Sequence, residues 1–140
     1  MNEFEYYLAE GKVKRQRHDL ELAKSLLNDS LERFEKMTKL EVKDFSKIIF
    51  ENIYDALRAI LDALLAADGY KSYSHEASIA YLQKYGVEDS VLVELDDLRY
   101  KRNSSKYYGK DVSYGDALMI IDFYKKHSKK LLDIVRSKLI

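Results

Sequence analysis

The stretch VKDFSKIIFENIYDALRAILDALLAADG, residues 42–69, decides the fold that this sequence predicts. Its apolar residues recur at intervals of three and four, the period of an α-helix, and they fall on two neighbouring lines. A helix with so wide an apolar surface has to be covered on several sides, so we expect it at the centre of a bundle. The lines consist of Val42, Phe45, Ile49, Ile53, Ala56, Ile60, Leu64 and Ala67, and of Phe50, Tyr54, Leu57, Leu61 and Leu65.

Four further segments have the same helical spacing of apolar residues, and none alternates in the way that a β-strand does. The connections between the segments are short, which favours antiparallel neighbours. We therefore predict an all-α fold, an up-and-down helical bundle of four long helices plus a short fifth helix, as a single domain over residues 1–140. The four segments run from Val13 to Phe34, from Ile79 to Leu82, from Val91 to Leu98 and from Ala117 to Val135.

Serine and glycine residues mark the predicted helix boundaries. Ser74 can cap the short helix through its hydroxyl group, and Ser113 with Asp116 resembles a capping box. Glycine commonly follows the last residue of a helix, because it adopts the left-handed backbone found there at little cost. Four glycines lie where the helical period fails, namely Gly69, Gly86, Gly109 and Gly115.

The composition excludes several classes of protein. The chain has no cysteine, which excludes disulfide scaffolds, Cys-ligated zinc sites and thiol nucleophiles. No His, Asp or Glu set has metal-ligand spacing and no glycine-rich phosphate loop is present, so we expect neither a metal nor a cofactor. The most apolar run, residues 59–67, is too short to cross a membrane, and we expect a soluble, cytoplasmic protein. We interpret His18 as solvated, His75 as packed or capping, and His127 as a core or boundary residue.

The charge is balanced in total but divided along the chain, with 24 basic and 24 acidic residues. Residues 88–97 contain five acids and no base, and residues 99–110 contain five bases and no acid. On one helix this arrangement complements the macrodipole, which is a sufficient explanation of the charges alone. Tyr100, Tyr107 and Tyr108 are interleaved with the bases, however, and single-stranded nucleic-acid binders combine phosphate contact with base stacking in this way.

Two further basic clusters occupy residues 12–17 and 125–130. Solvated helix surface is the ordinary interpretation of each cluster. If they lie beside residues 99–110 in the fold, the three would form one positive surface that favours RNA or a nucleotide.

Arg102 is in phase with Leu95 and Leu98, so the sequence places a guanidinium group on an apolar stripe. Because arginine is always charged, it needs a partner or an interface there, unless its head reaches solvent at the end of the bundle. Asn52 and Asp55 on the central helix can supply that partner. A simple Asn52 bridge between two helices is the favoured interpretation, and an Asn52/Asp55 cluster near Arg102 is the best candidate for a polar centre of the core.

The string LRYKRNSSKYYG, residues 98–109, resembles the signature helix of HEPN domains. Residues 54–58, 67–70 and 74–76 resemble the second helix, loop and third helix of that family, and the resemblance covers roughly residues 15–138. It implies a helical bundle that dimerises. Many HEPN domains are metal-independent endoribonucleases, and many bacterial and archaeal members pair with a small nucleotidyltransferase in toxin–antitoxin systems.

The family's catalytic motif is an arginine, usually a polar residue, and a histidine after four to six intervening positions. Arg102 and Asn103 match the first two, but Tyr107, Tyr108 and Gly109 occupy the permitted histidine positions. Cleavage by this route uses the 2′-hydroxyl as nucleophile and needs a group that takes its proton, for which imidazole is suited. A phenol with a pKa of about 10 is a poor base at pH 7. The resemblance therefore implies a site that keeps recognition and has lost or weakened catalysis.

Three functions remain open at this point. The favoured one is a homodimeric module that binds RNA or a nucleotide, or docks a nucleotidyltransferase partner. The second is a weak, metal-independent endoribonuclease with Tyr107 in the histidine position, and the third is a non-catalytic helical adaptor. The candidate site residues are Arg102, Asn103 and Tyr107 in the motif, with Arg99, Lys106, Tyr108, Asn52 and Asp55 as further binding residues.

Overall fold

The computed structural model describes residues 2–109 and 111–140, except for the side chains of Tyr107 and Tyr108. The chain is predominantly helical over these residues, which confirms the all-α class. No helix in this part of the chain combines the length and apolarity needed to cross a membrane. In chain order the elements are α1 (Phe4–Ala9), β1 (Val13–Arg15), α2 (Leu20–Met37), α3 (Ser46–Asp68), β2 (Tyr70–Ser72), α4 (His75–Tyr81), a 3₁₀ helix (Leu82–Tyr85), α5 (Asp89–Tyr108) and α6 (Tyr114–Lys138).

Helix α3 is the centre of the molecule, as its two apolar lines predict. Fifteen of its 23 residues are buried, and it packs against α2, α4, α5, α6 and β2. The helix begins at Ser46, so Val42 and Phe45 precede it instead of extending its apolar lines.

Contacts at the helix ends establish the directions of the long helices. The N–H of Asp19 donates to the carbonyl of Ala66 at 2.9 Å, and Arg33 donates to Asn52 at 3.0 Å, so α2 runs antiparallel to α3. Helix α6 runs parallel to α3, since Nζ of Lys138 lies 3.3 Å from a carboxylate oxygen of Asp68 at the C-terminal ends of both.

Most predicted helix boundaries are present. Ser113 and Asp116 form a complete capping box at the start of α6. Ser74 accepts a hydrogen bond from the N–H of Ala77 at the start of α4. Gly115 is an exception to the predicted pattern, because it lies within the first turn of α6 and does not separate two helices.

A two-stranded ribbon corrects the helical interpretation of residues 13–15. Val13 pairs with Ser72 and Arg15 with Tyr70 in an antiparallel ladder, and helix α2 begins only at Leu20. Three residues per strand are too few to produce a recognisable alternation, and the partner strand lies far along the chain. We call residues 12–17 and 70–73 the β-ribbon.

Gly69 joins the C-terminus of α3 to the β-ribbon and tolerates no side chain there. Its φ is 88°, and a Cβ atom would lie 3.0 Å from the carbonyl oxygen of Gln16 and 3.2 Å from the ring of His18. Its own carbonyl accepts from the N–H of Gln16 at 2.9 Å. The His18 ring is exposed, as expected, but its Nδ1 also lies 2.7 Å from the carbonyl of Ala67 and ties this segment to α3.

Helix α1 was not predicted. Its Phe4 and Tyr7 side chains are buried, and the Phe4 ring lies 4.6 Å from that of Tyr81 and 5.2 Å from that of Tyr70, between centres. The helix is under two turns long, so the spacing of Phe4, Tyr7 and Leu8 was the only periodic signal for it.

Candidate functional site

Arg102 and Asp55 form the ion pair that the sequence predicts. Arg102 is 6% exposed, and its Nη2 donates to Oδ1 of Asp55 on α3 at 3.0 Å. The guanidinium carbon lies 5.6 Å from the centre of the Tyr54 ring, within the range of a cation–π contact. The Asp55 side chain keeps 34% of its surface exposed, so one side of the pair can be reached from solvent.

Asn52 does not belong to this contact network, and the prediction that grouped it with Arg102 is wrong. The amide oxygen accepts from Nη1 of Arg33 at 3.0 Å, and the amide nitrogen donates to the carbonyl of Ile48 at 2.9 Å. Three residues of α-helix leave Asn52 and Asp55 about 60° apart around the axis, so they face different neighbours. Asn52 is half-buried and bridges α3 to α2, which is the interpretation favoured above for this residue.

His75 is the second chemical group of the site. It opens α4, and its Nδ1 lies 3.5 Å from the hydroxyl of Tyr54, the ring that also lies under Arg102. Burial, and then the positive charge of four nearby bases, lower the pKa of His75 to about 4, so its imidazole is neutral at pH 7. Those bases, in decreasing order of effect, are Arg58, Arg102, Arg99 and Lys106.

Carboxylates offset the charge of the other two arginines. Nε of Arg99 lies 2.7 Å from Asp96, and its Nη1 lies 3.7 Å from Glu76. Nε of Arg58 lies 3.8 Å from Asp62. The site is therefore an interleaved set of ion pairs around a neutral histidine, and it is not a region of uncompensated positive charge.

The basic half of α5 remains helical through residues 103–105, as part of one helix that carries both charge blocks. Lys101 lies 2.6 Å from Asp116 of α6, so this base is also paired. Tyr100 is well exposed, Lys106 is exposed, and Asn103 is half-buried. The expected roles of the Tyr107 and Tyr108 side chains, and of Lys110, lie outside the described residues.

Two buried polar atoms of α5 have no hydrogen-bond partner within residues 2–109 and 111–140. They are Nε of Arg102 and Oγ of Ser105. A buried polar group without a partner costs about 1–3 kcal/mol, so both atoms would gain from a ligand or a water molecule. Arg102 thus keeps donor capacity even though Asp55 neutralises its charge.

Sequence reasoning found Arg102, Arg99 and Asp55 but did not connect His75 with them. The only local signal of His75 was its position after the capping residue Ser74. The distance between His75 and Tyr54 depends on the path of the segment that joins α3 to α4. The spacing of apolar residues does not predict that path.

Comparisons with family models, curated proteins and solved structures found no match. Among the described residues, no group of three or more His, Asp or Glu side chains is arranged to hold a metal ion. The chemistry of the site follows from its own groups: a partly satisfied guanidinium, a neutral imidazole and two further arginines. Such a set can bind and orient an anion such as a phosphate.

Proposed function

We propose that this chain is a HEPN-like module that binds a phosphate group of RNA or of a nucleotide at the site around Arg102. In this proposal it is a homodimer and the partner of a nucleotidyltransferase in a toxin–antitoxin system. The observation that carries the proposal is the incomplete satisfaction of Arg102, which is buried and charged, bonds to Asp55, and has no partner for its Nε among the described residues. A guanidinium with an unused donor can add a charge-assisted hydrogen bond to a phosphate oxygen.

The ligand reaches the site from the partly exposed side of Asp55. A phosphate oxygen there would share or replace the carboxylate contact of Arg102. Arg99 can add a second charge through Nη1, because the Glu76 carboxylate near this nitrogen is exposed and 3.7 Å away, while Nε stays paired with Asp96. The neutral ring of His75 then accepts a hydrogen bond from a ligand hydroxyl without adding to the local positive charge.

Calorimetric titration of the purified chain with a mononucleotide and with a short oligoribonucleotide tests this proposal. We expect Arg102→Ala to weaken binding at least tenfold, because the variant cannot make the charge-assisted hydrogen bond to phosphate. Arg33→Ala is the matched control, since Arg33 is also paired with Asn52 and Asp29 but lies on α2. The proposal would be wrong if the folded Arg102→Ala variant had the same ligand affinity, dimer mass and partner binding as the natural chain.

A second candidate function, weak metal-independent cleavage of RNA, is favoured by the neutral imidazole of His75. This ring, in place of Tyr107, could take the proton of a 2′-hydroxyl. The 2′-oxygen then attacks phosphorus, the 5′-oxygen leaves with a proton from water, and a 2′,3′-cyclic phosphate forms. Incubation of RNA with the chain in EDTA tests this activity, which should disappear in both His75→Ala and Arg102→Ala.

The variant Tyr107→His separates the two functions. It restores the histidine of the family motif, so a gain of cleavage would identify the natural chain as a binding module with a degenerate motif. If neither the natural chain nor this variant cleaves RNA, and both bind it tightly, binding is the only function that remains.

A further inference from the structure

The β-ribbon concentrates positive charge that forms no ion pair among the described residues, although the Asp62 carboxylate of α3 lies near enough to interact with Lys71. Within the described part of the chain, no carboxylate oxygen lies within 4.0 Å of any of its bases, all of which are exposed. The described arginines of the Arg102 site, by contrast, each have such a partner. The bases of the β-ribbon are Lys12, Lys14, Arg15, Arg17 and Lys71.

Two of these bases lie directly opposite each other. The ladder pairs Lys14 with Lys71, and residues opposite each other on two strands extend to the same face of a sheet. Like charges in this position are destabilising. The β-ribbon therefore carries two like charges on one face, and an anion bound to both would relieve their repulsion.

An exposed aromatic ring lies within reach of the same two bases. Tyr73 follows β2 directly and is 60% exposed. Nζ of Lys14 lies 5.8 Å from the centre of its ring, and Nζ of Lys71 lies 5.7 Å from it. A ring with two cations nearby suits a polymer in which phosphates alternate with flat bases, because the cations can contact phosphates while the ring stacks.

A cavity of about 410 Å³ opens beside Tyr73, and its lining includes the two acids Glu10 and Glu76. Tyr6 and Lys12 line it together with Tyr73, and the Tyr6 ring is half-exposed. Glu76 forms another wall, and this residue is the carboxylate that lies 3.7 Å from Arg99. A carboxylate can accept a hydrogen bond from the amino group of a base, so the cavity offers both stacking and polar contacts to a base.

We propose that the β-ribbon is a contact surface for single-stranded nucleic acid. Lys14 and Lys71 bind backbone phosphates, Tyr73 stacks on one base, and the adjoining cavity receives the next base on the path towards Arg102. This proposal extends the ligand from a single phosphate at Arg102 to a strand that also contacts the β-ribbon. It depends on the proposed function only in the statement that the strand runs from the β-ribbon towards Arg102. Duplexes fit it poorly, because their bases are already stacked on each other.

Fluorescence anisotropy with a labelled oligouridylate, measured over a series of salt concentrations, tests the charges. We expect the double variant Lys14→Gln/Lys71→Gln to weaken binding and to reduce the slope of log K against log salt by about 1.4, which is about 0.7 for each phosphate that the variant no longer neutralises. The control Lys36→Gln/Lys39→Gln removes the same charge near the C-terminus of α2, at the opposite end of α3 from β2. Equal slopes for the natural chain and the ribbon variant would overturn the proposal.

Tyr73 variants test the stacking contact. Removal of one base–aromatic stack predicts a decrease of about 5- to 150-fold in affinity for Tyr73→Ala, with most of the affinity kept in Tyr73→Phe. Equal affinities for the two variants would contradict stacking. Binding of duplex DNA or of anionic lipid vesicles as tight as that of the oligouridylate would also overturn the assignment to single strands.

These measurements test the proposal for the Arg102 site and the proposal for the β-ribbon independently. If Arg102→Ala weakens mononucleotide binding while the ribbon variants leave oligouridylate binding unchanged, the β-ribbon proposal is wrong and the proposed function stands. If the ribbon variants weaken oligouridylate binding while Arg102→Ala leaves mononucleotide binding unchanged, the ribbon proposal stands and the proposed function is wrong.

Discussion

The two basic regions of this molecule, the C-terminal half of α5 and the β-ribbon, differ in what their charges contact. On α5, Arg99, Lys101 and Arg102 each lie within 4.0 Å of a carboxylate, and two of those carboxylates come from other helices. In the β-ribbon, Lys14 and Lys71 lie opposite each other and beside the Tyr73 ring. A run of bases in a sequence therefore does not show which of its charges the fold pairs with acids.

The largest effect is expected from breaking the central ion pair of α5. Asp55→Ala leaves the buried guanidinium of Arg102 without its carboxylate, and we expect a decrease of about 3 kcal/mol in the free energy of unfolding. Urea denaturation followed by circular dichroism measures this decrease. The control Lys14→Gln, at an exposed base without a carboxylate partner, should change stability by about 0.5 kcal/mol or less. Similar decreases in both variants would contradict the distinction between the two regions.

A pH dependence of stability should distinguish the α5 site from the β-ribbon, which contains no histidine. His75 has a pKa of about 4 in the folded chain, against an ordinary value of 6.5, so the unfolded chain binds the extra proton between these pH values. Stability is therefore complete above pH 6.5 and falls as the pH drops towards 4. From pH 7 to pH 5 we expect a decrease of at most about 2 kcal/mol, because the ring is only partly buried.

Urea denaturation at pH 7 and pH 5 tests this pH dependence, with His75→Gln as the reference that lacks the imidazole ring. The difference in free energy of unfolding between the natural chain and the variant, plotted against pH, separates the contribution of His75 from those of the other titrating groups. A constant difference would mean that His75 keeps an ordinary pKa and is not buried among the bases of α5.

Gly69 and Gly86 offer a matched pair for testing how the β-ribbon is attached. Both have a positive φ, 88° and 71°, but only at Gly69 would a Cβ atom meet the Gln16 carbonyl, at 3.0 Å. We expect Gly86→Ala to cost about 1 kcal/mol from backbone strain alone, and Gly69→Ala to cost about 1 kcal/mol more from the clash.

Thermal unfolding and hydrogen exchange measure the effect of these two glycine substitutions. The Gly69→Ala change should also increase exchange at the amides of β1 and β2, whereas Gly86→Ala should leave them protected. Equal costs and equal protection would show that the β-ribbon does not depend on this junction.

The smallest effect is expected in the β-ribbon itself, and its sign is the opposite. Lys71→Glu replaces a like-charge pair with an ion pair opposite Lys14, so stability should rise by about 0.2–1 kcal/mol while oligouridylate binding weakens. The neutral variant Lys71→Gln should give a smaller gain in stability. A fall in stability for both variants would indicate that Lys71 has a structural partner.

Much of the fold was predictable because it depends on local patterns. The apolar spacing of α3, the Ser113 capping box and the glycine at position 69 all act over a few residues, and each is present as expected. The β-ribbon and α1 were not predictable, since each is too short to have a periodicity and is held by residues far along the chain. Val13 illustrates this: it fits a helical spacing, yet its neighbour in the structure is Ser72.

The candidate site was predictable only in part, for the same reason. Arg102 lay on an apolar stripe, so a buried partner was required, and Asp55 was one of two candidates on the central helix. The grouping of Asn52 with Arg102 was wrong because Asn52 lies about 60° from Asp55 around the axis of α3 and contacts α2. His75 was missed because its approach to Tyr54 depends on the segment that joins α3 to α4.

By itself, the sequence determined a helical bundle centred on residues 46–68 and a charge that cancels along one helix, because period and charge are properties of neighbouring residues. The tertiary structure alone decided which charges are neutralised. Ion pairing needs two side chains within a few ångströms, and that distance is set by packing between elements. The structure therefore assigns Arg102 to a paired, buried site, and it leaves Lys14 and Lys71 exposed beside Tyr73 with no ion pair in the part of the chain that it describes.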